Sequence, residues 1–198
     1  MNSNSNCYLV KATGKEMNVV ITPNEYNSGQ VYFTEKRTNT HIPNSIFNRI
    51  TYSTNDFIMN GIYIQFELFV KHNEHTFNSN IYNCHFDPQH EHNRAVLTIF
   101  QNIETTLLDK WIQIQHQSPV VSAVAVAVAV AAAAVADTTG TLIPIPSNDI
   151  IQQLRTGVIS VWKHEMSIHD KPQFQHFIIK ISGVWENEAG CGLTYKFF

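Results

Sequence analysis

Ten histidines stand out in this chain of 198 residues. Five of them, together with a thiol, fall between positions 72 and 92, as His72-Asn73-Glu74-His75 and then Cys84-His85-Phe86-Asp87-Pro88-Gln89-His90-Glu91-His92. Zinc takes four nitrogen or sulfur ligands in a tetrahedron, and a loop turned by Pro88 could offer Cys84, His90, His92 and either His72 or His75. Standard fingers set two close pairs ~12 or more residues apart, which this spacing does not match. The stretch is therefore read as a solvated polar loop, with no metal and no cofactor. His164-Glu165 followed by His169 resembles a zincin helix, but there the two histidines must stand at i and i+4 on one helical face, and here they are one residue too far apart. Cys191, between Gly190 and Gly192, has no nucleophile elbow and no partner histidine, and reads as a turn residue. No phosphate-cradling glycine loop or dinucleotide fingerprint is present. These residues do not add up to a catalytic centre, so the expectation is a non-enzymatic protein with no small-molecule substrate.

A second constellation is aromatic and basic. In strands, successive side chains point to opposite faces. Alternation sends Arg49, Thr51, Tyr63, Gln65, Lys180, Ser182, Thr194 and Lys196 away from the core-facing set, and Trp162 opposite Ile159 and Val161. Rings between cations on an exposed sheet suit single-stranded nucleic acid: bases stack at ~1 to 3 kcal/mol each and the cations follow the phosphates. On this reading Tyr63 and Trp162 stack, while Arg49, Lys180 and Lys196 meet phosphate. Glu67, on the same face as Tyr63, opposes it, and core or sheet-edge packing of the aromatics is the competing explanation.

The elements that must position these residues are mostly strands. Tyr8-Leu9-Val10, Asn18 to Thr22 and Val31 to Thr34 form a small meander, with a turn at Asn27-Ser28-Gly29 and a loop through Lys36-Arg37 and Pro43-Asn44-Ser45. Ile46 to Ser53 is a strand with Ile50 and Tyr52 on one face. Asn60-Gly61 carries a type I′ hairpin signal, and Ile62 to Val70 alternates as a half-buried strand. Residues 71 to 94 are assigned to a loop and Ala95 to Phe100 to a strand. A helix capped by Asn102 runs to about His116, with Ile103, Leu107, Leu108, Trp111 and Ile112 on one face. A short helix over Asp149 to Thr156 stops at Gly157. A strand from Val158 to Lys163 follows, and a hairpin from Phe177 to Phe198 ends the sequence. The fold class is mainly β, an antiparallel barrel or sandwich, OB-like, with two helices attached.

The composition, 43% hydrophobic and 11% aromatic, is that of a folded globular domain. Residues 1–117 and 137–198 are expected to form one β-rich domain, with the Val-Ala stretch 118–136 as a low-complexity insert or linker. That stretch lacks aromatic belts and basic flanks, which argues against a membrane span. A net charge of −3 excludes a globally basic nucleic-acid binder but leaves room for a locally basic face. Three cysteines give no framework of paired bridges, and the polar N-terminus carries no secretory signal, so the expected compartment is intracellular.

Arg49-Ile50-Thr51-Tyr52-Ser53, Asn60-Gly61-Ile62-Tyr63-Ile64, Ile103-Glu104 with Leu107-Leu108, Gln153-Leu154-Arg155-Thr156-Gly157, Lys180-Ile181-Ser182-Gly183-Val184-Trp185-Glu186 and Gly192-Leu193-Thr194-Tyr195-Lys196-Phe197 together resemble small β-rich proteins of large double-stranded DNA viruses. Some of these look like OB-fold single-stranded-DNA-binding proteins. The resemblance covers about residues 46 to 112 and 147 to 198. It implies a barrel with a helix between strands, non-catalytic binding of single strands in genome replication or repair, and a host cytoplasmic or nuclear location. Many such proteins end in an acidic tail with a terminal aromatic; here Phe197-Phe198 follow Lys196 and no acidic run. The alternative expectation is a viral structural or assembly protein, a homo-oligomer associating through its sheet faces.

Overall fold

A computed structural model describes residues 8–11, 17–40, 42–75, 81–116, 144–162 and 171–198. The Val-Ala stretch, His164, Glu165 and His169 lie outside the described residues. Chain order gives β1 (Tyr8–Lys11), β2 (Met17–Val20), a 3-10 turn (Ser28–Gln30), β3 (Val31–Thr38), β4 (Ile46–Ser53), β5 (Ile58–Asn60), β6 (Ile62–His75) and β7 (Ile81–Phe86). There follow α1 (Glu91–His116), β8 (Pro146–Ser147), α2 (Asp149–Arg155), β9 (Val158–Trp162), β10 (Gln173–Asn187) and β11 (Gly190–Phe197).

Strands β6, β7, β9, β11 and β10 close into a five-stranded barrel, because β10 pairs with β6 along one edge and with β11 along the other. Numbered in chain order, the barrel strands follow one another around the ring as 1-2-3-5-4. The seam between β9 and β11 is parallel and carries one register pair, Val161 with Phe197; the other four are antiparallel. The barrel is thus mixed, not wholly antiparallel. Strands β3, β4 and β5 extend the sheet beyond the barrel from β10, β8 adds to β11, and β1 with β2 form a separate ribbon. The barrel is filled by one alternating set: Ile62, Ile64, Phe66, Leu68 and Val70 from β6, with Phe177, Ile179 and Ile181 from β10 and Ile159, Val161 and Phe197 opposite.

Several sequence assignments shift. The stretch 71–94 is not a loop: β6 runs on to His75, β7 occupies Ile81–Phe86 and α1 has already begun at Glu91. Ala95 to Phe100 is helix, not strand, and Asn102 lies inside it instead of capping it. The reason is visible in burial. Val96, Leu97, Phe100, Ile103, Leu107, Leu108 and Trp111 are all buried and recur at helical spacing, so one apolar stripe faces the barrel along most of α1. A six-residue apolar run viewed alone does not separate the two periodicities. Lys36 and Arg37 belong to β3. Asn60-Gly61 is not a hairpin turn: β5 pairs with β4, whereas β6 pairs with β10. Gly61, at φ +87°, is a corner where the chain changes partners, and a Cβ there would meet the Ile181 carbonyl oxygen at 2.8 Å. Cys191 is a buried residue of β11, and the turn is Glu188-Ala189.

The second helix is as read, with Ile150, Ile151 and Leu154 buried and Gly157 following it at φ +74°. Its N-terminus is held from a distance. Glu104 of α1 is buried and accepts hydrogen bonds from the Ile150 and Ile151 amides at 2.9 and 3.0 Å. Asn148 makes no side-chain cap. Among the described residues, no helix is long and apolar enough to cross a membrane.

Candidate nucleic-acid interface

Four of the five sequence-singled residues fall on one row across the outer surface of the barrel. The β6–β10 ladder sets Tyr63 directly opposite Lys180, and the β10–β11 ladder sets Lys180 directly opposite Lys196. Around the parallel seam, Lys196 reaches Trp162 at the end of β9. Each ring carries a cation: Lys180 Nζ lies 5.1 Å from the Tyr63 centroid and Lys196 Nζ 4.1 Å from the Trp162 centroid. Lys196 Nζ is also 5.1 Å from the ring of Phe198.

The row is reachable from solvent to different degrees. Trp162 is 47% exposed and Phe198 38%. Tyr63 and Lys180 are half-buried, and Tyr63 leans on the core. Neither Lys180 nor Lys196 has a carboxylate within ion-pair distance among the described residues. Like charges directly opposite on a ladder disfavour one another, and here the rings beneath the two ammoniums offset this in place of carboxylates.

Arg49 stands apart from that rung. It pairs with Gly183, beyond a bulge in β10, and its Nε lies 3.8 Å from Glu35, which also holds Arg37 at 2.7 Å. Glu67 lies further along β6, with His92 and His176 at 3.7 and 3.4 Å from its carboxylate oxygens. Phe198 was not singled out from the sequence, although the alternation that exposes Lys196 also exposes it.

Cys84, His90 and His92 do not converge on a common point. Cys84 points into the core, His90 stacks on Phe69 at 4.5 Å, and His92 Nε2 lies 3.0 Å from the Glu67 carbonyl oxygen. Burial, with the Glu186 carboxylate nearby, pushes the Cys191 thiol up to about 11, which keeps it protonated and unreactive at neutral pH. In comparison with known proteins, no family model, curated protein or solved structure matches this chain.

Proposed function

We propose that this protein is a non-catalytic single-stranded nucleic-acid-binding module whose contact surface is the row Tyr63–Lys180–Lys196–Trp162. One observation carries the reading: rings and unpaired cations from four different strands are neighbours on one solvent-facing surface. A single strand offers what this row lacks. Its phosphates neutralise the Lys180–Lys196 pair, and its bases find a ring face at Trp162 and Phe198. A small closed β-barrel of five strands is also a common scaffold for this task. Arg49 is a peripheral contributor, since phosphate must compete with Glu35 for it. The resemblance to viral replication proteins fits a role in genome replication or repair in an infected cell.

The test is a fluorescence anisotropy titration with a labelled single-stranded oligonucleotide. Trp162→Ala is expected to weaken binding by about 1 to 3 kcal/mol, the contribution of one stacked base. Equal affinity in this variant would remove Trp162 from the interface.

Self-association through a sheet face is the second reading, and it has its own observation. Phe174 is 52% exposed and packs edge-on against Phe69 and His92, an aromatic patch away from the cationic row. Light scattering separates the two: a regular oligomer that ignores nucleic acid and is dissolved by Phe174→Ser favours assembly.

A further inference from the structure

We infer that His72, Glu74 and His85 form a site for a divalent transition-metal ion with zinc-like preferences, on the outer face of the β6–β7 ladder. Nothing in the nucleic-acid reading uses these residues, so the two stand or fall separately.

The site exists because of a bulge. Along β6 the even-numbered residues Ile62 to Val70 face the interior, and simple alternation would send His72 and Glu74 inward too. The β6–β7 register shifts between Val70 and His72, which leaves Lys71 as an extra residue. Parity reverses there: Asn73 becomes the buried residue, and His72 and Glu74 are exposed. Bulges re-aim side chains in this way. His72 is thereby placed directly opposite His85 of β7, with Glu74 one outward position on.

The three side chains are already close. One ligand atom from each lies within 4.8 Å of the others. Glu74 Oε2 is 3.3 Å from His85 Nε2, and Glu74 Oε1 is 3.7 Å from His72 Nε2. Metal–ligand bonds of ~2.0 to 2.2 Å in a tetrahedron set donor atoms roughly 3.3 to 3.6 Å apart, so the carboxylate is near its place with respect to both rings. The His72 and His85 rings stack at 4.4 Å with 9° between their planes, so their in-plane lone pairs lie in parallel planes and do not yet meet at one point. Convergence needs one ring to turn, and His72, its side chain 46% exposed, has room to do so. His85 Nε2 is shielded from solvent and, with the Glu74 carboxylate at 3.3 Å, completes no hydrogen bond, a cost that a metal bond would remove. Two imidazoles and a carboxylate suit Zn²⁺ and its neighbours over Mg²⁺ or Ca²⁺, which favour all-oxygen shells. Three protein ligands leave at least one position open to water.

The experiment is calorimetric titration of the full chain with Zn²⁺, in the absence of nucleic acid, together with Co²⁺ absorption as a readout of coordination. Expected are one ion per chain, and at least about a tenfold loss of affinity in each of His72→Ala, Glu74→Gln and His85→Ala. His176→Ala, a histidine outside the cluster, is expected to bind as the unaltered protein does. Should His85→Ala fail to fold, the exposed His72→Ala decides. Binding that is absent, of scattered stoichiometry, or equal in His72→Ala and His176→Ala overturns the site.

Discussion

Lys180 and Lys196 stand opposite one another on a single rung, each ammonium over an aromatic ring and without a carboxylate partner, which prepares a surface for a polyanion. Function and stability should therefore part at these residues. Lys180→Gln is expected to leave thermal stability close to unchanged, since it removes both the like-charge rung and the contact with the Tyr63 ring, and to weaken single-strand binding. It should also flatten the salt dependence, because each lost phosphate contact on a single strand removes ~0.7 from the slope of log K against log salt. A melt paired with titrations at two salt concentrations checks both. An unchanged salt slope would show that Lys180 meets no phosphate. Arg49 should respond more weakly than Lys180, since Glu35 already shares its charge.

Between elements, the most exacting contact is Glu104 holding the first amides of α2. Burial dominates its environment and raises its carboxyl above the usual range, even though the Ile150 and Ile151 amides and a nearby Asp149 pull in opposite senses. A folded-state value above the unfolded 4.5 means that the folded protein binds more protons across that interval. The associated stability is fully present below pH 4.5 and is lost as pH rises through the folded value. Denaturant midpoints measured from pH 4 upward should thus decline more steeply for the unaltered protein than for Glu104→Gln, which cannot titrate. Parallel profiles would contradict this. Glu104→Ala leaves two buried amides without an acceptor and should cost about 2 to 5 kcal/mol, read from the same denaturant curves. Gly61→Ala, at the corner between β5 and β6, should cost more than ~1 kcal/mol by thermal melting, since the positive φ and the Ile181 carbonyl both exclude a Cβ.

For the whole molecule, the sequence spoke clearly wherever one face of an element is buried and the other wet. Ile46 to Ser53, Ile62 to Val70 and Ile150 to Leu154 show their periods because burial alternates cleanly along them. It misled where a non-local contact decides. Asn60-Gly61 has the local chemistry of a hairpin, yet its flanking strands pair with different partners. The histidine-rich run looked like a loop because the bulge at Lys71 breaks the alternation that would have marked a strand. Nothing local marks Glu104 as a cap, and only the packing of α1 against α2 reveals it as one. The outward direction of Tyr63, Trp162, Lys180 and Lys196 was legible one strand at a time. That they share a row depends on register between strands far apart in the chain, which no single segment encodes.

That row is the central claim, and the most direct measurement of it is an anisotropy titration of a labelled single-stranded oligonucleotide at low and moderate salt, comparing the unaltered protein with Trp162→Ala combined with Lys196→Gln. Binding at low salt is expected to weaken as salt rises and to nearly disappear in the double variant, with its melting temperature close to that of the unaltered protein. No binding at low salt, or equal binding by a folded double variant, would contradict it.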